Sequence, residues 1–428
     1  SLIPEGLHVV GAPMTAEERA ATLGSIVAAS GSPEADALVA PIIAGASAAQ
    51  ALKRSGVAAN DDALRVLAER LFETNAHLSA DHETSAIIRA LDGGFIAPAP
   101  GGDLIRTPEM LPTGRNIHGF DPFRMPSAFA VKSAAEQAER LLARHREETG
   151  ATPETIALVL WGADNMKSEG AQLAQALALM GARPRFDSYG RLCGASLTPL
   201  SELSHPRIDV VATLSGIFRD LLPLQTRMLA EAALLAAKAD EPVEQNFIRK
   251  HALACMASEG VDIETAALRV FSNATGAYGA NVNQLIDSSA WRDEDELAEA
   301  FTRRKCFAYG VSGAPAQQPA VLKSLLAHVD VAYQNLESVE LGVTTIDHYF
   351  DTLGGIGRAV KRARGEDAAL YISDQTAGPG AVRTLKEQVA LETHTRTLNP
   401  KWYEGMLRHG FEGVRQIEAN VTNTMGWS

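Results

Sequence analysis

The chain has 428 residues, which is enough for two or three domains of ordinary size. Apolar residues make up 46% and charged residues 21% of the sequence, as is typical of a globular protein with a buried core. The net charge of −13, without any basic tract, argues against nucleic acid or an anionic membrane as the main partner.

The cysteine and hydropathy patterns indicate a cytoplasmic protein without a membrane segment. Cys193, Cys255 and Cys306 are widely spaced and form no Cys-X-X-Cys pair, so no disulfide framework is expected and a reducing cytoplasm fits. No run approaches the roughly 20 apolar residues of a membrane span, so no integral membrane segment is expected. Residues 1–6 lack a signal-peptide pattern and both ends are abrupt, which suggests a fragment of a longer multidomain chain.

The first 127 residues are expected to form one region. Residues 15–92 have a helical pattern, with an N-cap offered by Asn60 and Asp61 before leucines at helical spacing. Glycine and proline then punctuate residues 93–127 so densely that no long regular element is expected there. We call residues 93–127 the strap.

The rest of the chain alternates short apolar strands with helices. Strands are predicted at 156–160, 208–214 and 367–373, and a polar loop and a helix follow each of them. Alternation of this kind predicts an α/β fold, with parallel doubly wound sheet units flanked by helices. We expect two such regions, at 128–300 and 301–428.

Three loops are candidates for a ligand site, because ligands of doubly wound sheets bind beyond the carboxyl ends of the strands. These loops, at 161–167, 215–220 and 373–380, all carry polar or charged groups. Common catalytic motifs are missing from the sequence: it contains no phosphate-binding GxxxxGK[ST] loop, no HExxH, no paired CxxC and no GxSxG. ATP hydrolysis by this chain is therefore not expected.

The strap contains an unusual polar segment, Leu-Pro-Thr-Gly-Arg-Asn-Ile-His-Gly-Phe-Asp-Pro at 111–122, preceded by Gly-Gly-Asp at 101–103. This pattern resembles the signature of the large subunits of magnesium and cobalt chelatases. The resemblance covers essentially all of the chain after residue 90 and is weak before it. Further matching segments lie at 160–165, 179–184, 206–211, 215–220, 246–251, 269–273, 281–283, 347–351 and 399–406.

Two features resemble the magnesium branch of this family. They are Asn-Val-Asn at 281–283 with Ser-Ser-Ala-Trp at 288–291, and the ending at 421–427. The cobalt branch, which serves cobalamin synthesis, keeps the strap and the 215–220 segment but departs at these two places. The resemblance therefore implies the branch that acts in (bacterio)chlorophyll synthesis, in a photosynthetic bacterium.

The resemblance also implies substrates and partners. A protein of this kind holds protoporphyrin IX, Mg²⁺ enters the ring as a substrate, and two AAA+-type partner subunits hydrolyse ATP. The family has a His/Gly-rich segment with a nearby acidic residue at the metal-insertion site, and nothing in this sequence matches it. The resemblance implies that this segment precedes Ser1, so the fragment alone is expected to be inactive. The alternatives are a cobaltochelatase large subunit and a tetrapyrrole carrier or sensor without catalysis.

Inserting Mg²⁺ into a porphyrin removes two pyrrole protons and most of the ion's hydration shell, so it calls for a base and for carboxylates. Asp347, His348 and Asp351 form the best candidate cluster in the sequence. His348 would accept protons, while Asp347 and Asp351, four residues apart on one helix face, would be transient Mg²⁺ ligands. An N-cap aspartate with a solvated helix face explains the same residues.

The propionate groups of a porphyrin need cationic partners, and Arg115 and Arg219 are the candidates. A structural pair of Arg219 with its neighbour Asp220 is the alternative. Loop amides usually bond to backbone, but some are candidates for substrate contact. The candidate amides are Asn116, Asn165, Asn281 and Asn283.

Overall fold

The computed structural model describes residues 9–56, 61–100, 104–105, 108–118, 121–312, 314–338, 341–376 and 380–427. Two parts of the predictions, Asn60 in the helix cap and residues 377–379 in the third loop, lie outside the described residues. The backbone divides into two compact units, Ser1–Asp121 and Pro122–Ser428.

The first unit is helical over most of its length, as predicted. Asp61 caps its longest helix, because its Oδ1 accepts the backbone N–H groups of Ala63 and Leu64 at 2.8 and 3.3 Å. Leucine and alanine side chains at helical spacing form the buried core. The helices are α1 (Ala16–Ser30), α2 (Val39–Ile43), α3 (Ala48–Ser55), α4 (Asp62–Leu78) and α5 (Glu83–Leu91). In the strap, β1 (Pro98–Pro100) pairs in parallel with β2 (Asn116–His118).

The second unit is built on one large sheet, and its elements alternate along the chain. The strands are β3 (Thr155–Leu160), β4 (Ala182–Phe186), β5 (Leu192–Leu197), β6 (Asp209–Leu214), β7 (Val270–Ser272), β8 (Phe307–Ala308), β9 (Ala316–Gln317), β10 (Val331–Leu336), β11 (Ala369–Asp374) and β12 (Ala381–Thr384). The helices are α6 (Ala128–Thr149), α7 (Gly162–Lys167), α8 (Ala171–Leu179), α9 (Gly216–Leu221), α10 (Pro223–Lys238), α11 (Phe247–Glu259), α12 (Ile263–Ala266), α13 (Val282–Asp287), α14 (Glu294–Lys305), α15 (Pro319–Leu326), α16 (Gly355–Arg364), α17 (Leu385–Thr395), α18 (Pro400–Leu407) and α19 (Phe411–Met425).

Within the described residues the sheet has eight strands in the order β12-β11-β10-β3-β6-β7-β8-β9. The central strands from β11 to β7 are parallel, and the flanking β12, β8 and β9 are antiparallel. Every residue of β3, β6 and β10 is buried, which requires cover on both faces of the sheet. The predicted doubly wound α/β fold is therefore confirmed. None of the described helices is long and apolar enough to span a membrane.

The order of the parallel strands fixes where a ligand site should lie. From β3 the chain builds outward through β6 and β7, and it then returns to the other side of β3 with β10 and β11. The direction of winding reverses between β3 and β10, which is the switch point where such sheets open a crevice. Strands from both predicted regions, 128–300 and 301–428, belong to this one sheet.

Candidate functional site

The crevice at the switch point opens because β3 and β10 diverge. Their register runs only from Ile156–Val331 to Leu158–Tyr333, so the last residues of the two strands are not paired with each other. Beyond the strand ends, the Lys167 Nζ donates a hydrogen bond to the carbonyl oxygen of Glu337 at 2.6 Å and bridges the gap.

Trp161 and Gly162 follow β3 directly, at the start of the crevice. A side chain at 162 would have its Cβ 2.6 Å from Ile217 Cγ2 and 2.7 Å from Phe218 N, so only glycine lets α7 lie against α9. The indole N–H of Trp161 is buried and has no hydrogen-bond acceptor within the described part of the chain. Trp161, directly after the last residue of β3, forms one wall of the crevice.

The predicted acid–histidine pair lies against this wall. The His348 ring stands edge-on to Trp161, with 5.4 Å between ring centroids, and its Nδ1 is 2.9 Å from Asp347 Oδ1. The Asn283 amide donates a second hydrogen bond to Asp347 Oδ2 at 2.5 Å. The hydrogen bond from His348, reinforced by Asn283, lowers the pKa of Asp347 to about 2. The same bond raises the pKa of His348, whose side chain remains 59% exposed.

Asp351 lies one turn further along and has a different environment. Its buried carboxylate accepts three backbone N–H groups, from Ala280 at 2.7 Å, Val282 at 2.8 Å and Asn283 at 3.1 Å. It therefore holds the N-terminal turn of α13 in place. Asp347 lies in the turn before the helical segment that contains Asp351, and both carboxylates contact Asn283.

Asp351 belongs to a π-helical turn, Phe350–Gly354, which runs directly into α16. Turns of this type are rare and concentrate at functional sites. The turn packs in the interior, where the Phe350 ring meets Trp427 edge-on and Gly355 lies against Phe301. No sequence pattern predicted this extra-wide turn.

We expect Asp351→Ala to lower the free energy of unfolding by about 1–3 kcal/mol, because three buried N–H groups lose their acceptor. Urea denaturation of the 428-residue chain, followed by tryptophan fluorescence, measures this change. All four tryptophans lie in the second unit, so the signal reports that unit. Asp367→Ala, at an exposed position, is the control. An unchanged denaturation midpoint for Asp351→Ala would contradict the capping role.

A second buried network surrounds the end of β6 and includes Lys305, which was not among the predicted site residues. The Lys305 ammonium is buried and donates to Asn273 Oδ1 at 2.8 Å and to the Leu214 carbonyl at 3.2 Å. Burial lowers its pKa to about 8, although the carboxylate of Asp351 opposes the shift. Lys305 ends α14 after two arginines, and such a basic last turn is common in helices, so its sequence context did not mark it as a site residue.

Arg219 serves the same network from the other side. Its guanidinium is 3% exposed and donates to the carbonyls of Ala274 and Ala277 at 2.8 and 2.9 Å. It also forms a two-point ion pair with Asp220, with N–O distances of 2.7 and 2.9 Å. The alternative of a structural Arg219–Asp220 pair matches this geometry, and a propionate contact by Arg219 stays a prediction.

The predicted amides fall into two groups. Asn165 is fully buried, where its amide donates to the Trp161 carbonyl at 2.8 Å and its Oδ1 accepts the Leu173 N–H at 3.0 Å. Asn281 immediately precedes α13, and Asn283 is its second residue and donates to Asp347. Asn281 adopts a left-handed backbone conformation with φ of 64°, and its Oδ1 accepts a hydrogen bond from Arg304 at 3.1 Å.

Arg115 and Asn116 belong to the first unit, beside and within β2, and Asn116 N donates to the Ala97 carbonyl at 3.0 Å. The structure therefore gathers Asp347, His348, Asp351 and Asn283 into one site in the second unit, while the Asn281 side chain contacts Arg304 instead. Among the residues that the structure describes, no group of three or more His, Cys, Asp or Glu could hold a metal ion. A transient role of Asp347 and Asp351 toward Mg²⁺ stays a prediction.

Comparison with known proteins identifies the family. Residues 28–428 match the family described as CobN/Magnesium Chelatase. The chain belongs to this family. The match spans most of the first unit and all of the second, so the switch-point crevice and the strap are both parts of the CobN/magnesium chelatase fold.

Members of the family resemble the chain to different degrees. A magnesium-chelatase subunit from Cereibacter sphaeroides is 61% identical over all of this chain and 32% of its own length. Aerobic cobaltochelatase subunit CobN of Sinorhizobium sp is 34% identical over 79% of this chain and 27% of its own. The catalytic subunit of cobaltochelatase from Mycobacterium tuberculosis superposes with a TM-score of 0.76 at 33% identity, over 99% of this chain and 39% of that one. The chain thus spans about a third of the length of the curated relatives it matches.

Proposed function

We propose that this chain is part of the large, porphyrin-holding subunit of an ATP-dependent magnesium chelatase that inserts Mg²⁺ into protoporphyrin IX. The observation that carries the proposal is the difference in identity between the two branches, 61% to a magnesium-chelatase subunit and 34% to a cobaltochelatase subunit. We further propose a photosynthetic bacterium as the source, from the similarity to bacterial magnesium-chelatase subunits. We place the protein in the cytoplasm, which suits the free cysteines Cys193, Cys255 and Cys306.

The geometry of the crevice supports a role in proton transfer. Insertion releases two pyrrole protons, and His348 is an exposed imidazole whose Nε2 is left for a substrate because Nδ1 faces Asp347. Asp347 stays ionised at every working pH, so it stabilises the imidazolium that forms after proton transfer. Trp161 supplies an aromatic wall of the kind that packs against a planar ring.

Asp347 is also our candidate for meeting the Mg²⁺ substrate, because oxygen ligands suit this ion. Its side chain is 32% exposed, whereas the Asp351 carboxylate is occupied by backbone N–H groups. We therefore assign Asp351 a positioning role in the same site. ATP hydrolysis is assigned to two AAA+-type partner subunits, since this sequence contains no phosphate-binding loop.

We expect the full-length subunit to bind a free-base porphyrin with a dissociation constant of about 1 μM or below, a free energy near −8 kcal/mol. Quenching of tryptophan fluorescence by deuteroporphyrin measures it. With the two partner subunits, ATP and Mg²⁺, the full-length subunit should form the magnesium porphyrin, while residues 1–428 alone should not.

The same assay separates the alternatives. A cobaltochelatase would leave the porphyrin metal-free with Mg²⁺ and would require Co²⁺ and a corrin ring. A carrier or sensor would bind the porphyrin tightly without ever forming the magnesium complex. Absence of porphyrin binding up to its solubility limit would contradict both the magnesium-chelatase and the porphyrin-carrier assignments.

A further inference from the structure

A cavity of about 470 Å³ lies on the far side of α13 from the Asp347–His348 pair. Two guanidinium groups, from Arg303 and Arg304, line it together with the polar side chains of Asn281, Gln284 and Ser288. No carboxylate is among the described residues that line it. In a chain with a net charge of −13, this cavity is a local concentration of positive charge and hydrogen-bond donors.

The two arginines have no acidic partner among the residues that the structure describes, unlike Arg207, Arg219 and Arg269. Arg303 is exposed at the mouth of the cavity. Arg304 is held in place, because its Nη2 donates to the Tyr278 carbonyl at 2.9 Å and to Asn281 Oδ1 at 3.1 Å.

The Nε–H of Arg304 is buried and has no acceptor within the described part of the chain. A buried donor without an acceptor costs free energy, and an anion entering the cavity is a source of the missing acceptor. The cavity therefore combines the fixed guanidinium of Arg304 with the exposed guanidinium of Arg303. This pair suits a carboxylate that binds to both.

The cavity and the Asp347–His348 pair lie on opposite sides of the short helix α13. Asn281 lines the cavity, and Asn283, two residues later, donates to Asp347. Helix α13 therefore stands between the two sites and contributes to both.

We propose that the Arg303–Arg304 cavity binds a propionate carboxylate of the tetrapyrrole substrate. This inference rests on the proposed function and adds one substrate contact to it. Arg219, with its donors turned to carbonyls and Asp220, is not needed for this contact.

The test measures the affinity of the full-length subunit for two ligands, deuteroporphyrin and its dimethyl ester, in the same mixed solvent. The ester keeps the ring and blocks both carboxylates. Arg303→Ala should weaken deuteroporphyrin binding by about tenfold to a hundredfold, the range for one lost charge-assisted hydrogen-bonding group. Arg303→Glu should weaken it further through repulsion, and neither substitution should change binding of the ester by more than about twofold.

Arg227→Ala, at an exposed arginine of α10, is the matched control and should leave both affinities unchanged. Arg303 is exposed, so its substitution is not expected to unfold the chain. Arg304→Lys is a second variant, which keeps the charge but loses the two-point geometry. Equal binding of deuteroporphyrin by wild type and Arg303→Glu would overturn the proposal while leaving the proposed function intact. Equal weakening of acid and ester would also overturn it, and failure of the wild type to bind either ligand would contradict the proposed function itself.

Discussion

His348→Ala in the full-length subunit is expected to lower the chelation rate by about tenfold to a thousandfold, the range for a lost general base. Porphyrin affinity should change by less than about fivefold, because proton acceptance acts in the transition state and not in ground-state binding. The melting temperature should stay near that of wild type, since the imidazole is 59% exposed. His409→Ala, at another exposed histidine, is the control.

The pH profile supplies a readout that a structural role would not change. Only neutral His348 accepts a proton, and its pKa is raised by the hydrogen bond to Asp347, so the rising limb should lie above the ordinary value of about 6.5. Asp347→Asn removes the carboxylate and should move this limb to lower pH. If the rate of His348→Ala equals that of wild type, His348 has no part in the chemistry, although the family assignment stands.

Asp209→Ala is expected to reduce the free energy of unfolding of the second unit by about 3–5 kcal/mol, the largest stability effect we predict. Asp209 is fully buried at the start of β6, where Arg269 donates to both of its oxygens at 2.5 and 3.1 Å. His251 Nδ1 is 2.9 Å from the same carboxylate. Removing it leaves the buried Arg269 charge without a counterion.

Urea denaturation followed by tryptophan fluorescence measures this effect. Burial opposes the charge of Asp209, but Arg269 and His251 outweigh burial and lower its pKa. Its contribution is therefore present above the ordinary aspartate pKa of about 3.9 and is lost as pH falls through the lowered value. The double variant Asp209→Leu/Arg269→Met should recover part of the loss, because both charges are gone. A single variant as stable as wild type would show that the pair contributes nothing.

The fold was predictable where strands are apolar throughout. The runs at 156–160 and 208–214 became β3 and β6, within one residue at their starts, because both of their faces are covered and nearly every position favours an apolar side chain. The central strand β10 was missed because its sequence, Val-Ala-Tyr-Gln-Asn-Leu, is half polar. Tertiary contacts account for it: the Tyr333 hydroxyl accepts a hydrogen bond from buried Gln175 at 2.9 Å, a partner 158 positions away.

The site was predictable only in part. Asp347, His348 and Asp351 stood out because they are close in sequence, and the structure brings Asn283 to them. The distinct environments of the two carboxylates depend on contacts more than 60 residues away, which no local pattern contains. Arg303, Arg304 and Lys305 were passed over, because a basic C-terminal helix turn is common for reasons of the helix dipole.

The π-helical turn at Phe350–Gly354 gives this site an unusual sensitivity to chain length. The turn contains one residue more than a turn of α-helix would. This extra residue rotates the preceding part of the chain by about 100° around the axis of α16. Deleting a single residue there would restore ordinary helical geometry and keep α16, yet it would swing Asp347 and His348 away from Trp161 and Asn283. A family member one residue shorter in this turn would retain the sheet, and would still present Asp347 and His348 on a different surface.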